Sequence, residues 1–281
     1  MDFEQILEEI SSHQRSVQSA MKSLREISRL DKNRAENLPK LKKRLTKLEE
    51  IIRRIGETGK YIQGLTDWMS EYQHALETTE GKVRRRLGTE LERKLKNLGL
   101  SLSGQYPDLK AGLFTIELDF GKWKATLWYG PKQERLDQCS LSASEIAKRV
   151  EKLKHKLGSQ LPQDQFLEKL RKAYYRVIGT ERGRPAPIIK VLAELAYLLQ
   201  NSQFRQDPRR ENYRSYSRAD FSYDLFRIRS YQVRSLFPLK LRLKTAARAY
   251  TRRRSDFLWV PDDESGKGTT YSHLVFEEVE K

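Results

Sequence analysis

Cysteine is nearly absent: Cys139 is the single one in 281 residues. A disulfide framework needs paired cysteines and a Cys-based zinc site needs several at short spacings, so both are excluded. Histidine is scarce too, and His13, His74, His155 and His273 lie too far apart in the chain to form a His-rich metal tract. No run of about 18 apolar residues is present. The most apolar stretch, Ile188 to Leu199, is interrupted by Lys190 and Glu194, so no membrane partner is expected. The opening Met1-Asp2-Phe3-Glu4 lacks a basic region followed by an apolar one, which argues against a secretory leader and for an intracellular place, cytoplasmic or in the nucleoid or nucleus. Acidic residues are in deficit: 38 Asp and Glu face 55 Lys and Arg, a net charge of +17.

Leu, Ile, Val and Phe number 69, above the roughly 20% below which a chain does not bury a core. Over residues 1–100 apolar residues recur at steps of three and four, the period of helices packed on one face. Phe3, Ile6, Ile10, Val17, Ala20, Leu24 and Ile27 form one stripe; Leu41, Leu45, Leu48, Ile52 and Ile55 form a second, starting near Pro39 and stopping at Gly56. Two more run from Ile62 to Leu76 and, after Gly81, from Leu87 to Leu98. Short connections favour a folded-back coiled coil or bundle, suited to self-association or to a protein partner.

Around residues 99–112 the period changes to two, which marks a domain boundary. Phe114, Ile116, Leu118 and Phe120, then Trp123, Ala125, Leu127 and Tyr129, predict a hairpin about Gly121-Lys122. Ser142-Ala143-Ser144-Glu145 has capping-box spacing and predicts a helix over 143–157 with a basic outer face. Further helices are expected over 163–178, from Pro187 onward, over 221–235 and over 239–250. Strands at 257–260 and 271–276 are expected to join the central hairpin. The expected fold class is therefore α+β, predominantly helical: a helical bundle or coiled coil (1–100), a hairpin with helices (101–200), a basic segment (201–255) and a closing hairpin (256–281) with a small antiparallel sheet.

Charge is concentrated in 201–255, which holds 13 Arg, 2 Lys and only 4 acidic residues. Arg205, Arg209, Arg210, Tyr213, Arg214, Tyr216, Arg218 and Tyr223, with Arg252, Arg253 and Arg254, interleave cations and flat rings. Guanidinium groups hold phosphate bidentately and the rings stack on bases, whereas solvation alone would be served as well by Lys. This pattern points to a non-enzymatic nucleic-acid-binding protein, for DNA or RNA, whose stretch 201–220 is a loop that orders on contact. The rival reading is an accessory or scaffold subunit of a larger assembly, such as one containing an ATPase or nuclease, with the basic segment docked on an acidic protein face.

Other motifs carry less. Arg182-Gly183-Arg184-Pro185 resembles the core of an AT-hook, which lays arginines in the minor groove, but it lacks basic flanks and also reads as a plain inter-helix loop. Pro107-Asp108 followed by Glu117 and Asp119 resembles the start of a metal-dependent nuclease site, yet no Lys stands two residues after either acid. Ser265-Gly266-Lys267-Gly268-Thr269 lacks the leading Gly and following helix of a phosphate loop. Nothing calls for a cofactor.

Overall fold

The structure, a computed structural model, describes residues 3–55, 60–181, 183–232 and 239–278. It is a predominantly helical α+β fold with eight α-helices and nine strands among the described residues. The chain divides into two compact units, Met1–Glu90 with Phe120–Trp123, and Leu91–Asp119 with Lys124–Lys281. Residues 201–255 fall within the second unit, beside 124–200 and 256–281.

The first unit is built from α1 (Phe3–Asp31), α2 (Arg34–Ile55) and most of α3 (Lys60–Asn97). Ile27, Leu41, Leu45, Leu48, Met69, Tyr72 and Leu76 meet in its core, as the apolar stripes require. Two expectations are corrected. The helix expected to start near Pro39 begins at Arg34, because the preceding turn is held by Asn37 Nδ2 donating to Leu30 O (3.2 Å) and by Arg34 on Asp31, so a missing N–H at Pro39 is tolerated. The third and fourth helices are one: Gly81 and Gly88 each weaken a helix by only about 1 kcal/mol. The buried face through Tyr72, Leu76, Leu87, Leu91 and Leu95 outweighs that.

Asp31 ties the three helices together. Arg34 Nε and Nη2 donate to its two oxygens at 2.6 and 2.9 Å, and Tyr72 Oη donates at 2.6 Å from α3. The Arg34 hydrogen bond, with help from Tyr72, holds the Asp31 carboxyl below the usual carboxylate range. A depressed value contributes stability above the unfolded Asp pKa of about 3.9 and loses it as pH falls through the folded value. Tyr72→Phe is therefore expected to lower stability at pH 7 by about 1 to 2 kcal/mol. In urea titrations the difference from the parent should shrink below about pH 4.

The second unit holds two sheets. In the first, β1 (Leu102–Gln105), β2 (Asp108–Ala111), β3 (Phe114–Asp119), β4 (Lys124–Tyr129) and β5 (Glu134–Ser140) form an antiparallel meander in chain order. The predicted β3–β4 hairpin is present, with Phe114 opposite Tyr129, and its apolar face (Phe114, Ile116, Leu118, Ala125, Leu127, Tyr129) is buried. α4 (Ala143–Lys156) packs against β5. Ser142 stands at its N-cap but makes no side-chain cap bond, and Glu145 accepts from Arg149 Nε (2.9 Å), so the expected capping box is not formed.

The strands near the C-terminus do not extend this meander. A second sheet forms around β9 (Gly268–Glu278), with β7 (Leu239–Thr245) on one side and β6 (Ala186–Pro187) and β8 (Leu258–Pro261) also pairing with β9. The expected helix over 239–250 is thus a strand over its first half: Leu239, Leu241 and Leu243 alternate with Lys240, Arg242 and Lys244, and Arg242 pairs with Glu277 across the strands. α5 (Gln163–Ile178), α6 (Ile188–Leu198) and α8 (Arg218–Gln232) cover the sheet, burying Phe166, Tyr174, Val191, Leu195, Phe221 and Phe276. α7 (Ser202–Gln206) links α6 to the segment before α8.

Trp259 of β8 joins both sheets. Its ring meets Tyr129 edge-on at 5.6 Å, its main-chain N–H donates to Gln133 Oε1 (2.6 Å), and Ser222 Oγ of α8 donates to its main-chain carbonyl (2.6 Å). Gly130 and Gly268 make room for the indole, since a Cβ at either would lie 2.5 Å from a ring carbon, and Gly130 has φ +56° besides. Overpacking and left-handed backbone strain together put the expected cost of Gly130→Ala at about 2 to 4 kcal/mol. Chemical denaturation followed by Trp fluorescence would measure it.

Candidate nucleic-acid interface

The stretch expected to be a loop contains a short helix and a 3-10 turn, each bonded by its own polar side chains. Asn201 Oδ1 accepts the Phe204 N–H (2.8 Å) and starts α7; a 3-10 turn follows at Arg210–Asn212, with Asn212 Nδ2 donating to Asp207 O (2.9 Å). Gln200 clamps the chain further on, accepting from Arg214 N (2.9 Å) and donating to Arg214 O (3.0 Å).

Much of the preference for Arg over Lys has a structural cause. Arg205 donates to Leu198 O (3.2 Å), Arg214 to Ser159 O (2.8 Å), Arg227 to Leu161 O (2.9 Å) and Arg229 to Pro261 O (3.0 Å). Arg218 reaches Arg254 O (2.6 Å) and Phe257 O, and burial lowers its pKa from the ordinary arginine value. A planar fork of five donors can cap carbonyls of separate segments, which an ammonium does less well. Arg218 is withdrawn from the expected phosphate contacts on these grounds. Arg214 keeps one Nη on Ser159 while its side chain remains exposed.

Tyr216 is withdrawn from the stacking residues. Its ring is buried, and its Oη donates to Asp224 Oδ2 at 2.8 Å. Ser159 N donates to the same oxygen (2.7 Å), and Arg227 Nη2 lies 2.9 Å from Oδ1. Burial raises the Asp224 carboxyl, against the lowering effect of these donors, and burial with the neighbouring Asp224 charge raises the Tyr216 phenol. Gly158, at φ +84°, borders this network, and a Cβ there would meet Asp224 Oδ1 at 2.7 Å. Tyr223 is half-buried and tilted against Phe226, whereas Tyr213 is 47% exposed beside Phe204 and keeps a ring face available.

The remaining cations are on the surface. Arg209 is exposed and paired with Asp207 (2.9 Å). Arg210, Arg252 and Arg253 are exposed and make no ion pair among the described residues; Arg254, also exposed, donates to Lys132 O (3.3 Å). Arg182 lies outside the described residues. Arg184 is paired with Glu181 (2.5 Å) beside Gly183 at φ +73°, the geometry of a plain loop.

Folding also creates a cleft that the linear pattern did not show. It lies between β5, the last turn of α4, the loop 158–160 and the lead-in to α8, with a volume of about 640 Å³. Arg135, Lys152, His155, Lys156 and Arg214 line it and are all exposed. Its two acids face main-chain donors: Glu134 accepts from Ala219 N (2.8 Å), and Asp220 from Gly158 N and Ser217 N (both 2.9 Å). The run Lys152 to Lys156 was legible as a basic helix face; Arg135 carried no signal, and its meeting with Arg214 is a product of the tertiary fold.

Asp108 and Glu117 do come together, opposite each other on β2 and β3. Lys132 stands between them, 2.9 Å from Asp108 and 2.7 Å from Glu117, and Trp128 Nε1 donates to Glu117 (2.8 Å). The Lys132 hydrogen bond, seconded by Trp128, lowers the Glu117 carboxyl. An ammonium thus sits where shared acids would hold a cation, and among the described residues no three His, Cys, Asp or Glu are grouped as metal ligands. Cys139 is buried and its thiol pKa is raised by burial, which disfavours the reactive thiolate. Among the described residues no helix is long and apolar enough to cross a membrane. No family model, curated protein or solved structure matches this chain.

Proposed function

We propose that the protein binds nucleic acid, without catalysis, through the basic surface of its second unit. One observation carries the reading: beside the arginines that staple the fold there are exposed cations without carboxylate partners among the described residues, Arg210, Arg252 and Arg253 foremost, with Lys152 and Lys156 in the cleft. Phosphate neutralisation with release of counterions supplies sequence-independent affinity to such a surface. Tyr213 adds one exposed ring for stacking.

The test is equilibrium binding to labelled single-stranded DNA, single-stranded RNA and duplex DNA over about 50 to 200 mM salt. An Arg210→Ala/Arg252→Ala/Arg253→Ala/Arg254→Ala variant runs beside the parent. Absence of binding to every form at the lowest salt would refute the reading.

A role in assembly is proposed for the first unit. Leu7, Ile10 and Met21 are 49%, 60% and 48% exposed on α1. At 100° per residue these three share one face of the helix, an apolar stripe of the kind that pairs with another helix.

A further inference from the structure

We infer that the cleft between β5 and α4 is a seat for one nucleoside-phosphate unit, an inference that rests on the nucleic-acid reading and names the part of the ligand this cleft takes. Three features of the cleft converge on that chemistry. The first is size: about 640 Å³ lies within the range of roughly 300 to 1,000 Å³ of small-ligand sites and accommodates a single nucleotide rather than a duplex. The second is the distribution of charge. Arg135 from β5, Lys152 and Lys156 from one face of α4, and Arg214 from the segment before α8 reach the cleft from three separate elements. No ion pair is made by any of the four among the described residues, and no carbonyl is capped by Lys152, Lys156 or Arg135.

Charge alone would describe any basic surface; the third feature is an apolar lining. Leu136, Leu153 and Leu157 line the same cleft and are at least half-buried, whereas the cations are exposed. A site that combines exposed cations with buried leucines matches a ligand that is anionic at one end and offers flat ring faces at the other, as a nucleotide does. Inorganic phosphate or a sulfated sugar would leave the leucines uncovered. The acids do not compete for the cations, since Glu134 and Asp220 are turned to the amides of Ala219, Gly158 and Ser217.

Those same bonds also hold the cleft in shape. Asp220 pins loop 158–160 to the start of α8, Glu134 pins β5 to it, and Arg214 Nη2 reaches back to Ser159 O. The walls are thereby set before a ligand arrives, which reduces the ordering cost of binding.

A nucleoside phosphate can come from a free mononucleotide or from the phosphorylated end of a strand, and the experiment separates them. Labelled single strands of about ten nucleotides, the site size of one binding module, carry a 5′-phosphate, a 3′-phosphate or hydroxyls at both ends. A nucleoside monophosphate and inorganic phosphate are titrated separately by calorimetry. Lys152→Ala/Lys156→Ala is compared with Arg252→Ala/Arg253→Ala; all four residues are exposed, so circular dichroism and urea midpoints should match the parent.

The expected result is a preference of about tenfold or more for one phosphorylated end, the equivalent of one charge-assisted contact, lost in the Lys152/Lys156 variant. The Arg252/Arg253 variant should weaken all strands alike and keep the preference. Saturable binding of the mononucleotide, abolished in the Lys152/Lys156 variant and much weaker for inorganic phosphate, would assign the cleft to the free ligand. Strands that bind with equal affinity whatever their ends, together with no mononucleotide binding, would overturn the inference and leave the broader reading standing. Mononucleotide binding with no strand binding would do the reverse.

Discussion

Asp224→Ala is expected to destabilise the second unit by about 3 to 5 kcal/mol, the cost of removing one member of a buried charge pair. Asp224 is fully buried, and three partners converge on it: Ser159 N and Tyr216 Oη at Oδ2, and Arg227 at Oδ1. Truncation leaves a buried N–H, a buried hydroxyl and a guanidinium with nothing in place of the carboxylate. Because two donors share one oxygen, Asp224→Asn can keep both by turning its carbonyl to them, and the change is confined to Arg227, which then faces an amide NH2 in place of a carboxylate oxygen. Its cost should therefore be clearly smaller than that of Ala, and Tyr216→Phe smaller again, about 1 to 2 kcal/mol. Urea unfolding of the three variants at one pH tests the order; equal losses for Asn and Ala would show that Arg227 carries the network.

The pH dependence of this group runs opposite to that of Asp31. Burial raises the Asp224 pKa in the fold, so its contribution is full below the unfolded value of about 3.9 and declines as pH rises through the folded value. Subtracting the stability curve of Asp224→Asn from that of the parent isolates the effect. A difference that grows more favourable to the parent with rising pH would contradict the sign.

The second large effect concerns salt. If Arg210, Arg252, Arg253 and Arg254 each hold a phosphate, their joint replacement by Ala flattens the log–log salt slope by about 3 for single strands and about 4 for duplex DNA. Between 50 and 200 mM salt the parent would then lose about 50- to 150-fold more affinity than the variant. A parallel slope in the variant would remove these residues from the interface. Replacing Arg214 and Arg218 would be a poor substitute, since those guanidiniums cap Ser159, Arg254 and Phe257 carbonyls and their loss confounds binding with folding.

Local pattern was sufficient wherever one face of an element is buried. Gln163–Ile178 and Ala143–Lys156 fold within a residue or so of the span their period of 3.6 implies, and Phe114 to Tyr129 buries the face that its alternation marks. The segment 239–250 was expected as a helix, yet Leu239–Thr245 is a strand: Leu-Lys-Leu-Arg-Leu-Lys alternates strictly, which is the period of a strand and not of a helix. In contrast, β1, β2 and β5 contain few apolar residues and owe their conformation to partner strands, which no window of sequence contains.

The candidate site divides along the same line. The sequence by itself determined that the protein is basic, that its preference for Arg over Lys is concentrated after residue 200, and that a single Cys leaves no disulfide framework within the chain and no Cys-based zinc site. Only the tertiary structure decided what each arginine is for. A guanidinium has five donors and can spend them on a phosphate or on main-chain carbonyls. Arg218 and Arg229 found carbonyls because α8 packs against β8, whereas Arg210, Arg252 and Arg253 found none among the described residues. Likewise Tyr216 and Tyr213 are three residues apart and chemically identical, but Asp224, eight residues further on, draws one of them into the core. The cleft is wholly a tertiary product, because Arg135, Lys152 and Arg214 are brought together by the packing of β5, α4 and α8 and not by any spacing along the chain.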